Sequence, residues 1–69
     1  MLRTRVQSSS LASIGYAAEV RTLEVEFNRG DTYQFFAVPK YIFDDLLAAP
    51  SKGTYFNEHI KDRYPFRRL

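Results

Sequence analysis

The chain has 69 residues, of which 45% are hydrophobic and 26% are charged, a balance typical of one small globular domain. This length excludes a two-domain enzyme, a Rossmann fold and a barrel. The absence of cysteine excludes disulfides and Cys-ligated zinc or iron–sulfur sites, and the single histidine, His59, argues against a histidine metal site. Apolar runs are too short for a membrane span, so we expect a soluble cytoplasmic protein.

Charge is distributed unevenly along the chain, although the net charge is only +2. Residues 17–50 hold six Asp or Glu against three Lys or Arg, whereas residues 51–69 hold five Lys or Arg against two Asp or Glu. Arg3 and Arg5 add positive charge at the other end. This concentration of positive charge towards the two ends of the chain favours an anionic partner. The alternative is a basic tail that is simply solvated.

Three strands are predicted in the first half of the chain, over residues 11–16, 21–27 and 32–36. In the second of them apolar and polar residues alternate, which predicts a sheet with one dry and one wet face. Gly15 suits a bulge or a close backbone approach within the first strand. Gly30 suits the positive φ of a hairpin turn between the second and third strands. The three strands predict an antiparallel meander.

Two helices are predicted after the strands. The first begins near Pro39, and its apolar residues form one stripe: Ile42, Phe43, Leu46, Leu47 and Ala49. The second is capped by Ser51 or Thr54 and carries a buried row of Phe56, Ile60 and Tyr64. Residues 65–69 form a basic tail. The fold prediction is therefore an α+β domain with a three-stranded antiparallel meander followed by two helices packed on one face (β-β-β-α-α).

No catalytic constellation is found in the sequence. Asp44 and Asp45 are adjacent carboxylates on the solvent side of a helix, whereas a general acid/base pair needs two differently tuned environments. His59 is not accompanied by a recognisable serine nucleophile motif, and the three glycines do not have the spacing of a phosphate-binding loop. We therefore expect a protein that is not an enzyme and that has no metal site and no cofactor.

The sequence gives more support to a nucleic-acid-binding surface than to a catalytic site. Tyr33 and Phe35 are two residues apart on one strand, so both rings project from one sheet face, as in folds that stack unpaired bases. The alternative is that the same rings form core beneath the helices, with Phe36 exposed on the other face. Lys52, His59 and Arg63 would project within about 40° of one another on the second helix. The candidate nucleic-acid-binding residues are Tyr33, Phe35, Lys52, His59, Lys61, Arg63, Arg67 and Arg68.

Several short motifs resemble one known family. They are Ile14-Gly15-Tyr16, Leu23-x-Val25-x-Phe27, Gly30, Tyr33-x-Phe35, Val38-Pro39 and Ser51-x-Gly53-x-Tyr55-Phe56-Asn57-x-x-Ile60. Over residues 6–64 the chain resembles the KTSC domain, which is named for the C-terminus of some lysyl-tRNA synthetases and also occurs as small stand-alone bacterial and phage proteins. The family's Tyr-x-Tyr motif has Phe35 in place of its second tyrosine, which removes a hydroxyl and keeps a stacking face. The resemblance implies a single domain over residues 1–69, with RNA binding suggested by the synthetase context.

Two functional hypotheses follow from the sequence. The first is a non-catalytic module that binds RNA or another single-stranded nucleic acid through the basic C-terminal cluster and the sheet aromatics. The second is a protein-interaction module, such as a phage or prophage factor that docks on a host complex or associates with itself. In that case an open edge of the first or third predicted strand would be available for pairing in a homodimer.

Overall fold

The computed structural model describes all 69 residues. Its seven elements are β1 (Arg3–Arg5), β2 (Leu11–Ala17), β3 (Thr22–Phe27), β4 (Thr32–Phe35), α1 (Lys40–Ala48), α2 (Lys52–His59) and β5 (Phe66–Arg68). The five strands form one antiparallel sheet in chain order, so the helices are inserted between β4 and β5. The predicted α+β class is confirmed, but the predicted number of three strands is wrong. Neither helix has the length and apolar character to cross a membrane.

The two additional strands lie at the edges of the sheet. β1 pairs with β2, and β5 pairs with β4, so residues 66–68 of the predicted basic tail belong to the sheet. Their formation covers the hydrogen-bonding edges of β2 and β4, which are the first and third strands of the predicted meander. Self-association by pairing at those two edges is therefore prevented. The actual edge strands carry two arginines each, and such charges disfavour pairing with another chain.

The hydrophobic core lies between the helices and one face of the sheet. The strand register places Ile14 beside Val25, and Leu23 beside Phe35, on this face. The helices cover this face. Ile42 and Leu46, from the predicted apolar stripe, are buried on α1, and Phe56 and Ile60, from the predicted buried row, are buried on α2 and at its end. The ten buried hydrophobic residues are Leu11, Ile14, Leu23, Val25, Phe35, Val38, Ile42, Leu46, Phe56 and Ile60.

The opposite, open face of the sheet is polar and is organised around Glu24. A guanidinium nitrogen of Arg3 lies 3.2 Å from the Glu24 carboxylate, and the Gln34 side chain donates a hydrogen bond of 2.9 Å to it. In the register Gly15 lies between Arg3 and Glu24, so Arg3 reaches Glu24 across a position that has no side chain. The predicted close approach at Gly15 is confirmed, because a Cβ there would lie 2.5 Å from the carbonyl oxygen of Leu2.

The second helix is shorter than predicted. Ser51 caps it as expected, with its Oγ accepting a hydrogen bond from the Thr54 amide, but the helix ends at His59 rather than near Tyr64. Asp62 has a φ of +63°, a conformation that aspartate tolerates better than most residues. The ring of Pro65 disfavours helical geometry at Tyr64. The chain therefore turns after α2 and returns to the sheet as β5.

The turn between β3 and β4 gives a test of backbone conformation. Gly30 has a φ of +107°, as predicted, and nothing lies within 4 Å of where its side chain would be. Gly30→Val should therefore lower the free energy of unfolding by about 1–2 kcal/mol through backbone strain alone. Arg29→Ala in the same exposed turn should change it by less than about 1 kcal/mol. Urea denaturation of both variants checks this, and equal, negligible effects would contradict the turn geometry.

Candidate nucleic-acid interface

Five aromatic rings meet at one end of the helix-covered face, where β5 extends the sheet beyond the helices. The ring of Phe56, on α2, lies 5.2 Å from that of Phe27 and 5.4 Å from that of Phe35. The ring of Tyr33 lies 5.8 Å from Phe27 and 5.7 Å from Phe66. These rings line a groove of about 360 Å³, which we call the aromatic groove. Its remaining lining residues are Ser10, Leu11, Arg29, Gly53, Asn57, Lys61 and Asp62.

The cluster runs continuously from the core to the surface. Phe35 is only 4% exposed and belongs to the core, whereas Tyr33 is half-buried and Phe66 is 58% exposed. Tyr33 and Phe35 project from the same sheet face, as predicted, with their rings stacked at 6.2 Å. Phe35 therefore belongs to the core, as one of the two alternatives predicted, whereas the role of the half-buried Tyr33 as a binding platform stays a prediction.

The polar side of the groove is formed by the exposed part of α2, the turn that follows it, and the residue before β2. Asn57 lies on α2, Lys61 and Asp62 lie in the turn, and Ser10 faces them across the groove. None of these four side chains makes a hydrogen bond or an ion pair within the chain. All four are exposed to solvent. An apolar floor with a few polar groups at its rim is the usual form of a small-ligand site.

Two further cations are held in place beside the groove by Asp31. The Asp31 carboxylate accepts from Nε of Arg29 at 2.6 Å and from a guanidinium nitrogen of Arg68 at 2.7 Å. The hydrogen bond from Arg29 holds the pKa of Asp31 below its ordinary value of 3.8, so this carboxylate is charged at neutral pH. The Arg29 guanidinium carbon also lies 5.3 Å above the Phe27 ring. These contacts place both guanidinium groups beside the groove.

The predicted site residues are only partly brought together. Tyr33, Phe35 and Lys61 line the groove, and Arg68 lies next to Tyr33 in the strand register. Arg67 pairs with Gln34 and therefore lies on the opposite face of the sheet, because side chains alternate along a strand.

Lys52, His59 and Arg63 lie outside the groove. The Lys52 ammonium donates to the carbonyl oxygen of Ala49, and the His59 ring packs at 4.4 Å on the ring of Tyr55. Arg63 is exposed in the turn after α2. His59 is two residues after Asn57, which places it about 200° around the helix and away from the groove.

Sequence reasoning missed several residues of this site, among them Asp62 in the turn after α2. Phe27 and Phe56 were assigned to the buried face without a surface role, and Phe66 was assigned to the tail. Arg29, Asn57 and Ser10 carry no periodic signal. The structure contains no group of three or more His, Cys, Asp or Glu side chains that could hold a metal ion.

The chain is similar to several known proteins over nearly its whole length. An uncharacterized protein of Stutzerimonas stutzeri is 45% identical over 64 residues, which cover 93% of this chain and 90% of that protein. A crystal structure of a KTSC domain protein from Yersinia pestis has a TM-score of 0.93 at 38% identity, covering 99% of this chain and 96% of the other. Such small, separate proteins thus share both the sequence and the fold.

A second group of relatives is much longer. A lysine–tRNA ligase of Nostoc punctiforme is 38% identical over 63 residues, which cover 91% of this chain but only 11% of the ligase, in its C-terminal portion. The module therefore occurs both alone and as part of a larger enzyme. Residues 7–64 match the KTSC domain family. This chain belongs to the KTSC domain family.

Proposed function

We propose that this protein is a non-catalytic module that binds single-stranded RNA in the aromatic groove. Bases stack on the accessible rings of Tyr33 and Phe66, and phosphates are bound by Arg29, Lys61 and Arg68. The observation that carries the proposal is the meeting of five aromatic rings with Arg29 and Lys61 in one groove, with Arg68 beside Tyr33 in the adjacent strand. Stacking platforms flanked by basic residues are how proteins bind unpaired nucleotides.

The dimensions and chemistry of the groove support binding rather than catalysis. Its volume of about 360 Å³ falls within the roughly 300–1,000 Å³ of small-ligand sites, enough for a base and part of its backbone. Asp62 is the one carboxylate among its lining residues, and no histidine lines it. General acid–base chemistry on a nucleotide usually uses two groups whose pKa values differ. The lining is instead mainly aromatic surface with a few polar groups, which suits ligand binding.

The distribution of relatives also supports an RNA ligand. The relative from Nostoc punctiforme is a lysine–tRNA ligase, an enzyme whose name states that its substrate is a tRNA. The same domain also exists as a separate small protein, so we expect its binding surface to lie within the domain itself. An additional contact to RNA is a function that such a domain would serve in both settings.

Adjacent arginines on opposite faces of β5 provide a matched test of the phosphate contacts. Arg68→Ala should weaken binding of a short RNA and lower the slope of log K against log salt concentration by about 0.7 for one lost phosphate contact. Arg67→Ala, on the open face, should leave both quantities nearly unchanged. Fluorescence-anisotropy titrations at several salt concentrations, with variants shown to be folded, measure this. Equal effects of the two substitutions would contradict the assignment of the groove.

The stacking contribution is tested separately from charge. Tyr33→Leu should weaken RNA binding by about 1–3 kcal/mol, the contribution of one stacked base, and should leave the salt slope unchanged. If the folded parent protein does not bind RNA even at low salt, the RNA proposal is wrong. The protein-interaction hypothesis would then be the one to pursue.

A further inference from the structure

The polar side of the aromatic groove contains donors and acceptors that the chain does not use itself. The side chains of Asn57 and Asp62 line the groove next to the aromatic floor, and neither makes a hydrogen bond within the chain. Phosphate binding does not explain Asp62, because a carboxylate repels phosphate. Both side chains are exposed, and a contact from Asp62 to the ligand would go to a part other than its phosphates. This inference rests on the proposed function and concerns which base the groove selects.

We infer that the groove selects adenine, with Asn57 and Asp62 reading the hydrogen-bonding edge of the base. An asparagine amide offers both a donor and an acceptor, the pair of groups that matches the ring nitrogen N7 and the 6-amino group of adenine. The ionised carboxylate of Asp62 only accepts hydrogen bonds, so it suits a second hydrogen of the same amino group. Both residues are therefore complementary to adenine.

The same two residues discriminate against the other bases. Guanine and uracil carry a carbonyl oxygen where adenine carries its amino group, and that oxygen would face the Asp62 carboxylate without a hydrogen between them. Cytosine has an amino group at this position, but its single ring covers less of the floor formed by Phe27, Tyr33 and Phe66. The expected order of affinity places adenine first, and uracil below both adenine and cytosine.

The conformation of Asp62 is suited to this role. Its φ of +63° is in the left-handed region, and no hydrogen bond of its own side chain supports that geometry. The turn that contains it follows α2 directly, and Ile60, at the end of this helix, is fully buried. Ile60 thus anchors this end of the helix in the core between the positions of Asn57 and Asp62.

The test separates hydrogen bonding from stacking by removing one amino group. Short RNA oligomers containing adenine are compared with the same oligomers containing purine, which has the same rings but no 6-amino group. The adenine oligomer should bind about tenfold tighter, the discrimination of one good bidentate contact. In Asn57→Ala this ratio should fall, because one contact to the 6-amino group is lost, while the affinity for the purine oligomer should fall less, because purine offers Asn57 only N7. Anisotropy titration measures both affinities, and circular dichroism confirms that the variants are folded.

A conservative change at Asp62 provides the second measurement. Asp62→Asn keeps a residue that tolerates the left-handed conformation and adds a donor that can reach a base carbonyl oxygen. It should therefore reduce the preference for the adenine oligomer and raise the affinity for a uridine oligomer. Failure of every oligomer to bind the parent protein would overturn the RNA proposal itself. Equal binding of adenine and purine oligomers would leave RNA binding intact and overturn the adenine inference.

Discussion

Leu46→Ala should leave the domain largely unfolded at 37 °C. The Leu46 side chain on α1 is completely buried in the core. Truncation of such a leucine to alanine typically costs about 2–5 kcal/mol, because apolar contacts are lost and a cavity remains. A core as small as this one seldom supplies more than about 3–5 kcal/mol, so a single loss of this size is comparable to the whole stability of the domain. A thermal melt followed by circular dichroism measures the effect.

A matched control is available on the same helix. Tyr41 is 62% exposed on the solvent side of α1, so Tyr41→Ala should shift the melting temperature by only a few degrees. A Leu46→Ala melt that coincides with that of the parent would show that the core has been placed on the wrong face of the helix.

Gly15→Ala should detach β1 from the sheet and lower the free energy of unfolding by about 1–3 kcal/mol. The added methyl group would lie 2.5 Å from the carbonyl oxygen of Leu2 and 3.0 Å from Cγ of Arg3. A backbone atom at that distance must move, and with it Arg3 leaves its position 3.2 Å from Glu24. Hydrogen exchange by NMR should show faster exchange in β1, and urea denaturation gives the loss in stability.

Gly53→Ala is the matched control for Gly15→Ala. Its methyl group would lie 3.1 Å from Oγ of Ser10, at the end of a side chain that can rotate away. Alanine in a helix is also favoured over glycine by about 1 kcal/mol, which offsets the crowding. Unfolding free energies that decrease equally in the two variants would contradict the assignment of Gly15 to a backbone contact.

The parts of the fold that the sequence predicts are those with a buried face. β3 alternates between core and open face, and the apolar stripe of α1 faces the core, so each carries its own periodic signal. β1 and β5 consist of three exposed residues each and have no such signal. They form because β2 and β4 offer free backbone groups at their edges, and this depends on the assembled sheet rather than on local sequence.

The candidate site depends on tertiary packing more than the strands and helices of the fold do. The common face of Tyr33 and Phe35 follows from their spacing and was predictable. The addition of Phe56 and Asn57 depends on where α2 crosses the end of the sheet, and the addition of Phe66 depends on the return of the chain as β5. The sequence predicted a helix that continues to about Tyr64. Because α2 ends at His59, Lys61 and Arg63 lie in the turn after the helix and not on its surface.

The location of RNA binding is the central claim, and NMR titration of the labelled protein tests it most directly. A short single-stranded RNA is added to the isotope-labelled chain, and the backbone and side-chain amide shifts are followed. We expect the largest changes around the aromatic groove, at Asn57, Lys61 and Phe66, with little change at Glu24 and Gln34 on the open face. Changes concentrated on the open face, or the absence of any change at low salt, would contradict the account.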